Sequence, residues 1–375
     1  MNTVLYNALF NLGILAAVWG ALALAPSPLL NSPSVPFGVR VPPDKANAPE
    51  VAAQRRRYGA LLLAATTAVA VLALVACAAL DSLVVGAVGG SLLLTVVGVA
   101  LWIRAHRAVA DAKEQGGWYE QTRQGAVTDT SLRTDPVRFP WPWAIPAFAI
   151  VAVSALVGAV VYPDLPAEIA LPQKSFSGTV YQTYPTTFWT AFALVLAQIL
   201  VTASMAGTVA GILRARADLD VSRPRTSAAR YRRYLTSMSR SLLGMAALLN
   251  LMLLGLSGML WSDNRSQSLM ALVVGVPVLA VLGIIAHLVL RVGPGGSRLP
   301  ADITEPDSGL VPRDDDRFWH GAGMIYVNTD DPAITVPRRV GFGWTVNLGN
   351  LRFLVVTAVL VAVAVGVGVV VAVTM

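Results

Sequence analysis

Apolar residues occur in long runs, and the polar stretches between them are dominated by arginine. The runs cover residues 4–24, 59–79, 82–103, 141–162, 188–213, 241–261, 268–290 and 353–374. Each is close to the roughly 20 helical residues needed to cross a bilayer's hydrocarbon core. The pattern predicts an all-α polytopic membrane protein with about eight transmembrane helices. Only Leu80 and Asp81 separate the second run from the third, so these two form a tight antiparallel pair. The third helix is expected to continue past the membrane, over 104–123. Seven prolines between Pro26 and Pro49 make the first connecting segment extended, with a short surface helix over 46–58.

Composition agrees. Only 13% of the 375 residues are charged, about half the share of a soluble domain. The charges also orient the chain. All 28 Lys and Arg except Lys174 and Arg265 fall in alternate connections. Cationic connections stay in the cytoplasm, so both termini are expected outside. The resulting organisation is three helices with a Pro-rich basic inner loop (1–103), a basic cytoplasmic loop (104–140) and helices four and five (141–213) around an outer aromatic loop (163–186). An Arg-rich cytoplasmic loop (214–240), helices six and seven (241–290), a cytoplasmic module (291–352) and helix eight (353–375) follow. Ala21-Leu22-Ala23 has the look of a signal cleavage site, but Met1-Asn2-Thr3 lacks the basic residue such a signal carries. The first helix is therefore expected to be retained.

Candidate chemistry is sparse. Cys77 stands alone, which excludes an internal disulfide or thiolate cluster. The three histidines form no H-E-x-x-H pair, and neither a phosphate loop nor a nucleophile elbow is present. An enzyme is not expected, nor a cofactor, a metal or direct contact with nucleic acid. The polar residues within the spans are Gln198 and Asn250, read mainly as hydrogen bonds between helices, and the ionisable His287 near the inner end of the seventh. Asp314-Asp315-Asp316 reads as a solvated run that starts a helix.

Two stretches outside the spans offer recognition surfaces. The outer segment carries Tyr162, Leu165, Pro166, Ile169, Phe176, Gly178, Tyr181, Tyr184 and Trp189, and reads as a structured turn on the headgroups or a surface for a peptide or lipid. The second stretch is 314–350. Its β-like runs at 324–327 and 334–336 flank Thr329-Asp330-Asp331-Pro332 and predict a hairpin with a longer turn. Phe318, Trp319, Tyr326, Phe342 and Trp344 would supply its small core.

These stretches also resemble known bacterial families. Leu165-Pro166, Ile169 and Gly178, with Val35-Pro36-Phe37-Gly38-Val39-Arg40-Val41-Pro42 and Arg55-Arg56-Arg57-Tyr58, resemble SdpI-type membrane proteins that share domain of unknown function 1648. Ala170 to Gln173 lack the His that this family carries after the Ile, and Thr179 to Tyr181 lack its acid. Phe318, Trp319, Tyr326, Asn328, Asp331, Pro332, Arg338, Arg339, Gly341, Gly343, Trp344 and Asn347 resemble domain of unknown function 5808 and form the candidate cytoplasmic docking set. The SdpI-type resemblance implies protection against a secreted toxic peptide, and signalling by holding a regulator at the membrane.

The expectation is thus a non-enzymatic sensor or immunity protein of the bacterial plasma membrane. Its partners would be the lipid bilayer, an external peptide, and a cytoplasmic regulator or another membrane protein. The alternatives are a transporter, or transporter subunit, for an apolar or lipid-like solute, and a scaffold subunit of a membrane complex.

Overall fold

The computed structural model describes residues 3–80, 85–125, 131–175, 178–301, 303, 305–355 and 357–358. Seven helices are long and apolar enough to cross a membrane. They are α1 (Thr3–Leu24), α2 (Pro49–Leu80), α3 (Gly90–Gln115), α4 (Trp141–Val161), α5 (Phe188–Ile212), α6 (Pro224–Trp261) and α7 (Gln267–His287). The expected eighth span falls almost wholly outside the described residues, although 351–355 and 357–358 are helical.

Several helices start or end away from the membrane boundary that hydropathy marks. At 1.5 Å per residue, α2 is about 48 Å long and α6 about 57 Å, well over a core of about 30 Å. The expected surface helix over 46–58 is in fact the opening of α2. α3 does run on past residue 104, but stops at Gln115, where Gly116 and then Gly117, at φ +55°, end it. The stretch 214–240, read as loop, is helical from Pro224. Proline suits the first turn of a helix, and the Glu305 carboxylate accepts from the next two amides, Arg225 at 2.9 Å and Thr226 at 3.2 Å. A hydropathy window ends a span at its first charges, whereas backbone hydrogen bonding does not.

The chain forms two compact units. The first combines Met1–Asp129, Ala215–Tyr231 and Gly293–Met375. In it α1, α2 and α3 pack on one another through Leu15, Leu62, Val69, Ala73 and Leu94. Gly98 allows a close approach, because a Cβ there would lie 2.6 Å from the Leu22 side chain. The same core continues into Phe37, Val39 and Val41 of the first connecting segment, all buried. That segment is an ordered strap rather than a plain extended loop.

The second unit combines Thr130–Arg214 and Arg232–Val292. It holds α4, α5, the membrane part of α6, and α7. Ala144, Val209 and Leu243 form a small buried cluster within it. Between α4 and α5 the expected turn is a hairpin of two eight-residue strands, β1 (Glu168–Ser175) and β2 (Gly178–Pro185), antiparallel and in register from Glu168↔Pro185 to Ser175↔Gly178.

The strand pairing expected in the C-terminal module is overturned. The runs at 324–327 and 334–336 do not pair with each other. Instead β3 (Trp319–His320) pairs with β4 (Ile325–Tyr326), and β5 (Thr335–Pro337) pairs with β6 (Trp344–Val346). The glycines decide this. Gly321 and Gly323 close the first turn at φ +57° and +83°, and Gly341 and Gly343 close the second at +85° and +97°. L-residues rarely adopt such φ values, so these positions attract tight turns more strongly than Thr329-Asp330-Asp331-Pro332 does. The module's core is Trp319, Tyr326 and Val336, with Phe318 and Ala333 against it.

Candidate functional site

The densest chemistry lies in the first unit, where the strap meets α3 and the C-terminal module. Phe37 has φ +49° and is held there by aromatic packing: Tyr58 at 5.6 Å and Trp102 at 5.2 Å between ring centroids. Its carbonyl lies 2.8 Å from Nδ1 of His106. The next residue, Gly38, is at φ +80°, and a Cβ there would lie 2.6 Å from the Ala322 carbonyl oxygen. Trp102 Nε1 donates to that same carbonyl at 3.1 Å. The strap is therefore clasped between α3 and the Gly321–Gly323 turn.

This clasp delivers Arg40 into an ionic hub. Its Nε donates to Asp315 at 2.7 Å, its Nη2 to Asp218 at 2.9 Å, and its backbone amide to Asp316 at 3.0 Å. Arg339 reaches the same two aspartates, 315 and 316, and also donates to the Gly38 carbonyl at 2.9 Å. Lys113, at the end of α3, bridges Asp314 at 2.7 Å and Asp316 at 2.6 Å. Three cations and four carboxylates thus tie together the strap, α3, the 215–220 segment and the module. The run 314–316 does begin a helical turn, Asp316–Phe318, but it is only partly solvated, with its side chains 22–32% exposed. Each of its carboxylates is paired.

The electrostatics follow from burial and partners. Burial opposes the Arg40 charge, but Asp218 and Asp315 outweigh it and hold the guanidinium above its ordinary pKa. Burial likewise pushes Asp315 up, while Arg40 and Arg339 pull harder and leave it below the usual carboxylate range. Tyr119 is raised chiefly by burial; Arg40 pulls it down and the three aspartates push it back up. Lys113 sits 4.9 Å from its ring centroid. Among the described residues no group of three His, Cys, Asp or Glu is placed to hold a metal ion.

Of the expected docking residues, Trp319, Tyr326, Asp331, Arg339 and Asn347 are buried within the module. Asn347 is completely buried. Its Nδ2 donates toward the carbonyls of Asn328, Asp331 and Ala333, and its Oδ1 accepts from the amides of Asn328 and Gly349. The Tyr326 hydroxyl donates to Asp331 at 2.9 Å, and Arg216 pairs with the same carboxylate. Trp344 Nε1 points to the Tyr231 hydroxyl at 3.4 Å, and the Gly341 amide donates to Asn31 at 2.7 Å. Trp319 lies under the Arg339 guanidinium, 4.9 Å from its ring centroid. Arg338 and Pro332 are exposed, and Gly343 accepts from the Arg338 amide at 3.0 Å.

In the second unit, the outer set divides. The hairpin is seated by Thr186, whose amide donates to Ala167 at 2.8 Å and whose hydroxyl bonds the Pro166 carbonyl. Ile169 is buried, opposite Tyr184. Leu165 is half-buried, while Tyr162 and Trp189 are exposed. Tyr162, Phe188 and Trp261 surround Phe192, the usual makeup of an interfacial aromatic belt. Phe176 lies outside the described residues, and for Gly178 and Tyr181 the structure gives strand position only. Of the three polar span residues, two meet. Gln198 Nε2 donates to the Asn250 carbonyl at 3.3 Å, and Asn250 Nδ2 donates to Ala147 at 3.2 Å and Thr202 at 2.7 Å. Both side chains are completely buried and link α4, α5 and α6. His287 is not with them. It ends α7 and is exposed.

Sequence reasoning did not select Arg40, Lys113, Asp218, Asp315 or Asp316 as a site. A usable signal existed in Arg40, a lone cation between two valines.

Fold and site together define a multi-pass, mainly helical membrane protein with a charge-clamped C-terminal module. Residues 329–353 of that module match a family of unknown function, DUF5808. No curated protein and no solved structure matches the chain.

Proposed function

We propose that this chain is a non-enzymatic sensor or immunity protein of a bacterial plasma membrane. The hairpin and its aromatic surroundings receive an external toxic peptide or a signal of envelope stress. The ionic hub lies on the cytoplasmic side, as the arginine distribution requires, with both termini outside, and holds the module ready for a regulator. One observation chiefly supports this reading: the strap that resembles SdpI-type proteins and the DUF5808-like module are locked together through Arg40 and Arg339. A segment that resembles SdpI-type signalling proteins and a module from a family of unknown function are thus held together. The SdpI-type kinship itself is part of the proposal.

The test has two arms. Reporters fused after residue 175 and after residue 310 should be active outside and inside the cell, respectively. Deletion of the gene should sensitise cells to a self-produced or neighbouring toxic peptide. Unchanged sensitivity across a broad toxin panel, with topology as stated, would remove the immunity reading. The transporter alternative looks to Gln198 and Asn250 as a polar path; their complete burial, and the bonds their amide nitrogens donate to the Asn250 and Ala147 carbonyls and to Thr202, favour a role as glue between helices.

A further inference from the structure

The hairpin of β1 and β2 is a two-stranded sheet, and its two edges are not alike. The register fixes which backbone groups face outward. The Thr186 amide donates to the carbonyl of Ala167, the residue opposite it, at 2.8 Å, so these two form a hydrogen-bonded pair. Such pairs alternate with non-hydrogen-bonded ones along an antiparallel ladder. Counting from there, 169↔184, 171↔182 and 173↔180 exchange bonds across the hairpin, while 168↔185, 170↔183, 172↔181 and 174↔179 turn their backbone groups away from it. Pro172 and Pro185 both fall in the outward class, where a missing N–H costs the hairpin no bond.

On β1 the outward row is Glu168, Ala170, Pro172 and Lys174. It lacks a donor near its middle, and proline and lysine are residues that keep an edge strand from taking on another strand. On β2 the outward row is Thr179, Tyr181 and Thr183, with Pro185 only at its end. Its amides and carbonyls stand in an unbroken line. Among the described residues, no backbone group outside the hairpin bonds to them. A two-stranded hairpin is marginal by itself, and a third strand stabilises it.

An extended peptide or a second copy of this chain could supply that strand. Stable interfaces between folded chains engage about 20–30 residues a side, and this edge offers only the stretch from Thr179 to Thr183. That is too short to hold two copies together, but it is the scale on which sheets capture peptides. Asp164 and Glu168, both exposed, make the base of the hairpin acidic, and Glu168 stands opposite Pro185, where the open edge ends. The charge favours a cationic peptide.

We propose that the outer edge of β2 binds an extended segment of a cationic peptide by strand addition, backbone to backbone. This rests on the reading of the hairpin as a receiver of external peptide and adds the mode of recognition, one tolerant of the peptide's side chains.

The experiment uses the full chain in phosphatidylcholine nanodiscs, a fluorescent octapeptide of alternating Lys and Val as probe, and empty discs as the baseline. Wild type should bind the probe, and the same peptide N-methylated at every amide should bind at least about tenfold more weakly. T179P and Y181P each remove one outward donor without touching the hairpin's own ladder, and should each weaken binding about tenfold. A170P, the same change at an outward position of β1, should leave it within about twofold. A cross-strand E168C/P185C disulfide reports whether the hairpin is closed in each variant. Binding by wild type no greater than by empty discs would overturn strand addition, and so would undiminished binding by a closed Y181P variant. Equal binding of the N-methylated peptide would also overturn it, but would leave the hairpin a receptor that works through side chains, so the sensor reading, judged by toxin sensitivity of the deletion strain, would survive. Disulfide-linked dimers of T183C that vanish in T183C/Y181P would place a second copy on this edge and overturn the peptide assignment.

Discussion

Replacing Arg339 with alanine should loosen the C-terminal module, and replacing its neighbour Arg338 should not. The two stand side by side in sequence with the same charge, and both were expected to face a partner. Only Arg339 turns inward, with 3% of its side chain exposed. It touches Asp315, Asp316, the Gly38 carbonyl and the Trp319 ring. Removing one partner of a buried pair typically costs 3–5 kcal/mol. Asp315 and Asp316 remain 22% and 30% exposed, so water softens the loss and the lower end applies, about 3 kcal/mol. That corresponds to a roughly hundredfold rise in the population of the opened module. The assay is limited proteolysis of the purified full chain, because cleavage tracks the opened population when closing is fast. R339A should be cleaved near residues 300–340 about a hundred times faster than wild type, and R338A at close to the wild-type rate. R339K should fall between, since lysine keeps the charge but cannot bridge two carboxylates with a planar fork. Equal cleavage of R338A and R339A would refute the claim that the hub holds the module.

Other outcomes follow from the same geometry. The Asp315 pKa is lowered on folding, so its contribution to stability is present above the ordinary carboxylate value of about 3.9 and is lost as pH falls through the lower folded value. Acid unfolding followed by tryptophan fluorescence should show this, and D315N should be less stable at neutral pH with a shallower acid limb; parallel limbs would refute the pairing. G323A should separate strap from module, because its Cβ would lie 2.7 Å from the Gly38 Cα and φ is +83°; a cross-link between cysteines placed on the two segments should be lost, while G258A, with open space around it, should keep its melting temperature. N250L should destabilise the bundle by only about 1 kcal/mol, as expected of polar contacts between membrane helices. A loss above about 3 kcal/mol, measured by unfolding in bicelles, would exceed that range and revive a transport role for Gln198 and Asn250.

How much of this was legible in the sequence depends on the range of the forces involved. The seven described spans follow from desolvation, which acts locally, so unbroken apolar runs marked them. The module between 314 and 350 was visible in its glycines and aromatics. Its pairing was not, because turn strain at Gly321, Gly323, Gly341 and Gly343 decides between partners that are equally β-like. The extension of α6 back to Pro224 was hidden for a related reason. Its arginines end a hydropathy window, but they are good helix formers, and Glu305, 80 residues beyond Arg225, completes its first turn.

Sequence by itself determined the solvent of this chain and the segments that cross it, because burying a backbone in lipid requires a continuous apolar helix. Only tertiary structure decided that Asp315 is a paired group inside the fold, that Arg339 and not Arg338 faces inward, and that Arg40 matters at all. A charge has the same formula in water and in a hub. Its energy depends on neighbours that, for Arg40 and Asp315, lie 275 residues away along the chain.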